Sequence, residues 1–378
     1  MSALTTSRPP ARQIALALAT SMSALTLTAC GAVDNLGGSG DSASPKKGDD
    51  ITVGLLLPDK DTARFEKFDY PIIKKEVASL THGKGKVVYA NAEASPATQS
   101  RQFRQIVDKK VDVILVDALD AKAIAPDVQK AKDAGIPVIA YDRLAQGPID
   151  AYVSHDNELV GEVQGRAIIE ALGSKASSSK IVMMNGDPAD PNTAKFKEGA
   201  LGELKDKVQI AKQYDTDKWS PVLAKAKMKK AIQAIGLNNI AAVYSANDGM
   251  AGAVIDALKE AGATKVPPVT GQDANLDAVQ RIVSGEQYMT VYKSFLDEAT
   301  NAAKMAVDKV QGRDISFDAL TRDTVDSPTT KKIPAMLVPV VVLTKDNIKA
   351  TVIADGVYSV KDICTPKYEA DCAAVGLK

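Results

Sequence analysis

Short apolar runs of strand length alternate with helix-length segments from Ile51 almost to the end of the chain, and this alternation limits the fold more than any other feature. The runs are ITVGLLL, KVVYANA, VDVILVD, IPVIAYD, AYVSHD, KIVMMNGD, VQIAKQYD, IAAVYSAND, PPVTGQD and YMTVYK, with segments such as SPVLAKAKMKKAIQAI between them. Strands that read as continuous apolar runs are buried on both faces, the condition of a parallel sheet covered by its own crossover helices. The predicted class is therefore α/β. At 378 residues the chain exceeds one ordinary core and suits two domains of moderate size.

An internal echo supports two similar domains. VDVILVDALDAKAIAPDVQKAKDAGIPVIAYD and IAAVYSANDGMAGAVIDALKEAGATKVPPVTGQD both run strand, acidic tip, Ala-rich helix, Gly, Pro-led strand and a final Asp. Two copies of one βαβ unit about a domain length apart predict two doubly wound, Rossmann-like sheets.

The N-terminus indicates export. Arg8 and Arg12 precede IALALATSMSALTL, too short to span a membrane and suited to the core of a signal peptide over residues 1–29. It ends in LTAC, which resembles a bacterial lipobox; that resemblance implies cleavage before Cys30, acylation of Cys30 and attachment to a membrane by lipid alone. Residues 30–50 are rich in Gly and Ser and read as a flexible tether, with the folded body starting at Ile51. Cys364 and Cys372 then remain, eight positions apart in a compartment that permits disulfides, and are expected to bond. Two Cys without a nearby His make a poor zinc site, and His82 and His155 lie far apart, so no metal is expected.

Charge narrows the partners. Basic and acidic residues balance at 47 each, and removal of Arg8 and Arg12 leaves 45 against 47, a net charge of −2. There is no basic stripe for a phosphate backbone, so nucleic acid is not an expected partner. No GxxxxGK[ST] phosphate loop occurs, and GLLLPDKD lacks the dinucleotide glycine pattern.

Polar residues collect where the predicted strands end. Asp117 follows VILV, Asp142 and Arg143 follow VIAY, Asn247 and Asp248 follow VYSA, Gln272 and Asp273 follow VTG, and Lys293 follows TVY. Ligands of open α/β sheets bind in the crevice beyond the carboxyl ends of the strands. Two facing domains would bring these groups to one cleft. Helix capping accounts for a strand-end Asp or Asn, but it leaves Arg143 beside Asp142 unexplained. Aromatic residues make up 4% of the chain, yet its one Trp, Trp219, falls in the polar run YDTDKWSP, and Arg64 and Phe65 open a helix after the first strand. Flat aromatic faces with a rim of Asp, Asn and Arg suit a sugar ring, with its apolar C–H face and its hydroxyl edge.

The stretches GIPVIAYDRL, VSHDNELVGEVQG, SANDGMAGAVIDAL, GQDANLDAVQRI and MTVYKSF, in this order, resemble the periplasmic sugar-binding proteins of ABC transporters, type I fold, and among them most the xylose binders. The resemblance runs from Ile51 to about Val352. It implies sugar contacts from Arg64, Phe65, Asp142, Arg143, Asn192, Trp219, Asn247, Asp248, Asp273 and Lys293. Phe65 departs from the Trp that xylose binders tend to carry there, and Pro191 stands beside Asn192. The resemblance further implies a first lobe of residues 51–156 plus 292–330 and a second of 157–291 plus 331–378. Three crossovers would join them, near SHDNE, near TVYKS and after PAMLVPVVVL. A monosaccharide would close this hinge, and a permease would recognise the closed form, with no catalysis, no cofactor and a monomeric chain. A sugar sensor feeding a chemotaxis or two-component receptor is the alternative. A glycoside-cleaving lipoprotein is a third reading, with Asp142 and Asp273 as its acid pair, although Arg64, Arg143 and Lys293 would keep both ionised.

Overall fold

The computed structural model describes residues 47–60, 62 and 64–377. The expected signal peptide and Cys30 lie outside the described residues. Twelve strands are assigned among them: β1 (Thr52–Leu57), β2 (Lys86–Asn91), β3 (Val113–Val116), β4 (Val138–Tyr141), β5 (Ala151–His155), β6 (Lys180–Met184), β7 (Gln209–Tyr214), β8 (Ala242–Ser245), β9 (Thr290–Lys293), β10 (Asp323–Val325), β11 (Ile333–Val338) and β12 (Val340–Leu343). Helices join most of them. Ser95, Asp156, Asp190 and Ser220 each cap the amide end of a helix through a side-chain oxygen, which fixes where those helices begin.

The first sheet runs β2-β1-β3-β4-β5-β11-β10, parallel except for the last pair. Its central strands are apolar on both faces because both are covered: Val113, Leu115 and Ile139 enter one core, Ile114, Val116 and Val138 the other. The second sheet runs β7-β6-β8 in parallel. Bridges Val243 to Val269 and Gln272 to Val291 extend it through residues 269–272 to β9, and β12 closes it antiparallel. Both sheets thus wind in the same order, and the two echoed units take the same place in each, from third strand to fourth. Fold class and repeat agree with the sequence.

The chain passes between the lobes at Asp156 after β5, at Ser294 after β9, and at Pro339 between β11 and β12. Two expected boundaries need correction. Residues 331–338 belong to the first lobe, because Ala335–Val338 pair in parallel with Tyr152–His155 along an edge of β5 that would otherwise be unpaired. The third crossing accordingly lies within PAMLVPVVVL and not after it. Pro339 has no amide hydrogen to continue a ladder, which suits it to the break. The second crossing falls at Ser294 and not at 292, since β9 pairs with β12 through Lys293. Beyond it the helix Phe295–Gln311 returns to the first lobe and buries Ala299, Ala302, Ala303 and Ala306 in that core.

Both ends of the body are tied down. Three residues near the end of the expected tether are docked and not free: Lys47 pairs with Asp112 at 2.6 Å, and Gln311 donates to Gly48 and Asp49. At the other end Cys364 and Cys372 form the expected disulfide, and Cys372 packs with Val279, Ile282 and Leu343 of the second lobe.

Candidate functional site

The carboxyl ends of both sheets open onto one cleft between the lobes, with about 350 Å³ of empty space counted to its mouth. From the first lobe Arg64, Phe65, Asp142 and Arg143 line it; from the second come Asn192, Trp219, Asn247, Asp273 and Lys293. These expected residues therefore share one site. Asp248 does not. Its neighbour Asn247 caps the helix Asp248–Glu260, which turns the fully buried Asp248 side chain back into the second lobe. There Asp248 accepts from Gln287 Nε2 at 2.7 Å, Thr290 Oγ1 at 2.9 Å and the amide of Asn275 at 2.9 Å. It holds the loop that carries Asp273 and does not face the cleft.

The first-lobe wall is a buried network of charges. Arg64, 3% exposed, donates from Nε to Asp69 at 2.8 Å, from Nη1 to Asp142 at 3.0 Å and from Nη2 to Glu298 at 2.5 Å. Asp142 leaves β4 in the left-handed region, at φ +56°, which is uncommon for a residue with a side chain. Its carbonyl is held by Tyr152 Oη, Ser154 Oγ and, from across the cleft, Asn192 Nδ2 at 3.1 Å. Pro191 forms the first turn of the helix Pro191–Leu204, after the Asp190 cap. Burial works against the charge of Asp142, but Arg64, Lys293 and Arg143 outweigh it and hold its carboxyl at about 2. Arg143 Nε lies 2.7 Å from Asp190 and 3.4 Å from Asp117. Burial pushes Asp117 well above the usual carboxylate range, with Arg143 opposing.

The second-lobe wall is aromatic and dipolar. Trp219 donates from Nε1 to Asp190 Oδ2 at 3.0 Å and meets the edge of Phe196 at 6.2 Å. Its six-membered ring lies against Gly186, where a Cβ would come within 2.1 Å of the indole, so only glycine permits this approach. The helices Asn157–Leu172 and Pro191–Leu204 likewise touch through Gly161 and Gly199, which sets the depth of Asn192 and Phe196 in the cleft. Lys293 Nζ stands 2.9 Å from Asp273, itself at φ +93°.

Four further residues line the cleft: Thr62, Asp190, Phe196 and Gln272. Gln272 follows VTG and carries a strand-end signal; its Oε1 is buried without a hydrogen-bond partner in the protein. Asp190 reads as a helix cap, and it is one, but the same carboxylate also meets Arg143 and Trp219. Phe196 fits the apolar stripe of its helix, and Thr62 carries no signal. The fold also brings Asp142, His155 and Glu298 together, their ligand atoms within 4.8 Å of one another. Arg64 already pairs with both carboxylates.

The sequence matches the model of the periplasmic binding protein domain over residues 53–314. The chain belongs to the periplasmic binding protein family. It is 32% identical over 320 residues to the D-xylose-binding periplasmic protein of Escherichia coli (strain K12), covering 83% of this chain and 93% of that one. It is also 32% identical over 331 residues to the multiple sugar-binding periplasmic receptor ChvE of Rhizobium radiobacter, covering 81% and 90%. Among solved structures, an ABC transporter solute binding protein from Clostridium phytofermentans with bound beta-D-glucose superposes with a TM-score of 0.74, at 26% identity, over 82% of this chain and 99% of that chain. Relatives of this binding protein are named for binding and not for catalysis. No described helix is long and apolar enough to cross a membrane.

Proposed function

We propose that this binding protein captures a monosaccharide between its lobes and presents the closed form to an ABC transporter permease. The observation that carries the reading is the composition of the cleft. Phe65 and Trp219 offer aromatic surface from opposite lobes, and Arg64, Asp142, Arg143, Asn192, Asn247, Asp273 and Lys293 supply a rim of fixed donors and acceptors. A sugar needs both, because its C–H face is apolar and each hydroxyl both donates and accepts. Similarity to relatives named for D-xylose and for multiple sugars, and to a structure holding glucose, favours an aldopyranose, with D-xylose first. One relative is named a receptor, which supports a sensory output beside transport.

Binding alone suffices for this role. Asp142, held at about 2 by Arg64, Lys293 and Arg143 against its burial, does not serve as the proton donor that glycoside cleavage requires. The LTAC motif supports anchoring through Cys30. Cys30→Ala is then expected to release the protein from the membrane fraction.

The direct test is a thermal-shift panel with D-xylose, L-arabinose, D-ribose, D-glucose, D-galactose and D-fructose, since a ligand of the folded state raises the melting temperature. A rise with one or two pyranoses supports the reading and names the ligand. A flat response to all six overturns it and moves the ligand to another class.

A further inference from the structure

The Glu298 carboxylate is in contact with both the cleft wall and the hinge. It lies in the first turn of the helix Phe295–Gln311, directly after the second crossing, and its amide donates to the carbonyl of Ser294 at 3.0 Å. The side chain is fully buried. Its Oε2 is 2.5 Å from Arg64 Nη2 and 3.5 Å from Nδ1 of His155, the last residue of β5 before the first crossing. Arg64 has three of its N–H groups committed to Asp69 and Glu298 and one to Asp142, so the carboxylates fix which way its fork faces.

We propose that Glu298 is a positioning residue that couples cleft closure to proton uptake, through its contacts with ligand-facing Arg64 and with the two crossing segments. The proposal rests on the monosaccharide-binding reading. The groups that face Glu298 are Arg64 and Asp69 after β1, Tyr141 and Asp142 at the end of β4, Tyr152 and His155 on β5, and Lys293 on β9. Burial is the largest influence on Glu298 and pushes it up to about 8, with Arg64 the main opponent and Lys293 the weakest. Rotation about the crossings admits water to the cleft, which relieves burial and lowers the affinity of Glu298 for its proton. The closed form therefore holds the proton more tightly than the open one. Sugar, which also favours the closed form, binds more weakly as pH rises through about 8. Burial pushes His155 well below its usual range, so it stays neutral across this window.

The test is calorimetric titration of D-xylose and D-glucose between about pH 6.5 and about pH 9.5, in buffers of different ionisation enthalpy, on the parent, Glu298→Gln and Asp248→Asn. The Asp248 variant is included because burial pushes that carboxyl up to about 8 as well. The expected result is a loss of affinity of about threefold to tenfold in the parent, with proton uptake on binding, retained in Asp248→Asn and absent in Glu298→Gln. A slope that survives Glu298→Gln, or vanishes in Asp248→Asn, overturns the proposal. If Glu298→Gln does not fold, proton uptake by Asp248→Asn decides, and its absence overturns the proposal. Failure of both sugars to bind the parent at any pH overturns the sugar reading itself. Binding without pH dependence overturns only the role of Glu298.

Discussion

Asp142 and Asp273 end the two copies of the repeated βαβ unit, and they end them alike. Each sits at positive φ just past a fourth strand, and each meets one cation at hydrogen-bond distance: Arg64 at 3.0 Å for Asp142, Lys293 at 2.9 Å for Asp273. One strand earlier the copies diverge. Asp117, after β3, is fully buried; neither of its carboxylate oxygens accepts a hydrogen bond, and its nearest cation is Arg143 at 3.4 Å. Asp248, after β8, is equally buried but accepts from three donors. Position in the unit thus decides which acid reaches the cleft. The neighbours decide whether a buried acid is held by charge or by hydrogen bonds.

The largest expected effect lies at the fourth-strand pair. Asp142→Ala leaves Arg64, Arg143 and Lys293 facing one another without their shared acid, and sugar affinity is expected to fall at least about a hundredfold by calorimetry. Asp273→Ala, which unpairs Lys293 alone, is expected to cost about tenfold. Equal losses would end the distinction between the two walls. Next comes the third-strand pair. Asp248→Ala strands three buried donors and is expected to cost about 3 kcal/mol in a denaturant titration. A cost below about 1 kcal/mol would mean that the loop carrying Asp273 supports itself.

Titration separates the two acids by the sign of their pH dependence. Asp142 stands at about 2 in the folded protein against 3.8 for the free side chain. Its contribution is therefore complete above pH 3.8 and drains away as pH falls towards about 2, and Asp142→Asn should lack this limb. Asp248 has the opposite sign: burial raises it to about 8, so its contribution drains as pH rises from the free value of 3.8 to about 8. The smallest effect is expected at Asp117. Asp117→Asn removes no side-chain hydrogen bond and only the 3.4 Å approach of Arg143, so stability should change by less than about 1 kcal/mol in either direction.

The strand-end rule explains what the sequence disclosed. Arg143, Asn247, Asp273 and Lys293 were legible because polarity at the end of an apolar run in a parallel sheet has few other uses. The rule gives an address to within a residue or two but no direction, and Asp248 shows the limit: a helix cap one residue earlier turned it away from the cleft. Asp190 was hidden because a cap and an ion pair leave the same trace, an Asp before Pro. The register of β11 was hidden too, since PAMLVPVVVL reads as one apolar run until Pro339 divides it between two sheets.

That division has a consequence for synthesis. β5 lacks its outer neighbour until residues 333–338 arrive, and β9 lacks its antiparallel neighbour until 340–343 follow. Neither sheet can be completed until residues 333–343 of the nascent chain have been made. Each lobe therefore waits, during synthesis, on the same short segment, and the delay is written into the position of residues 333–343.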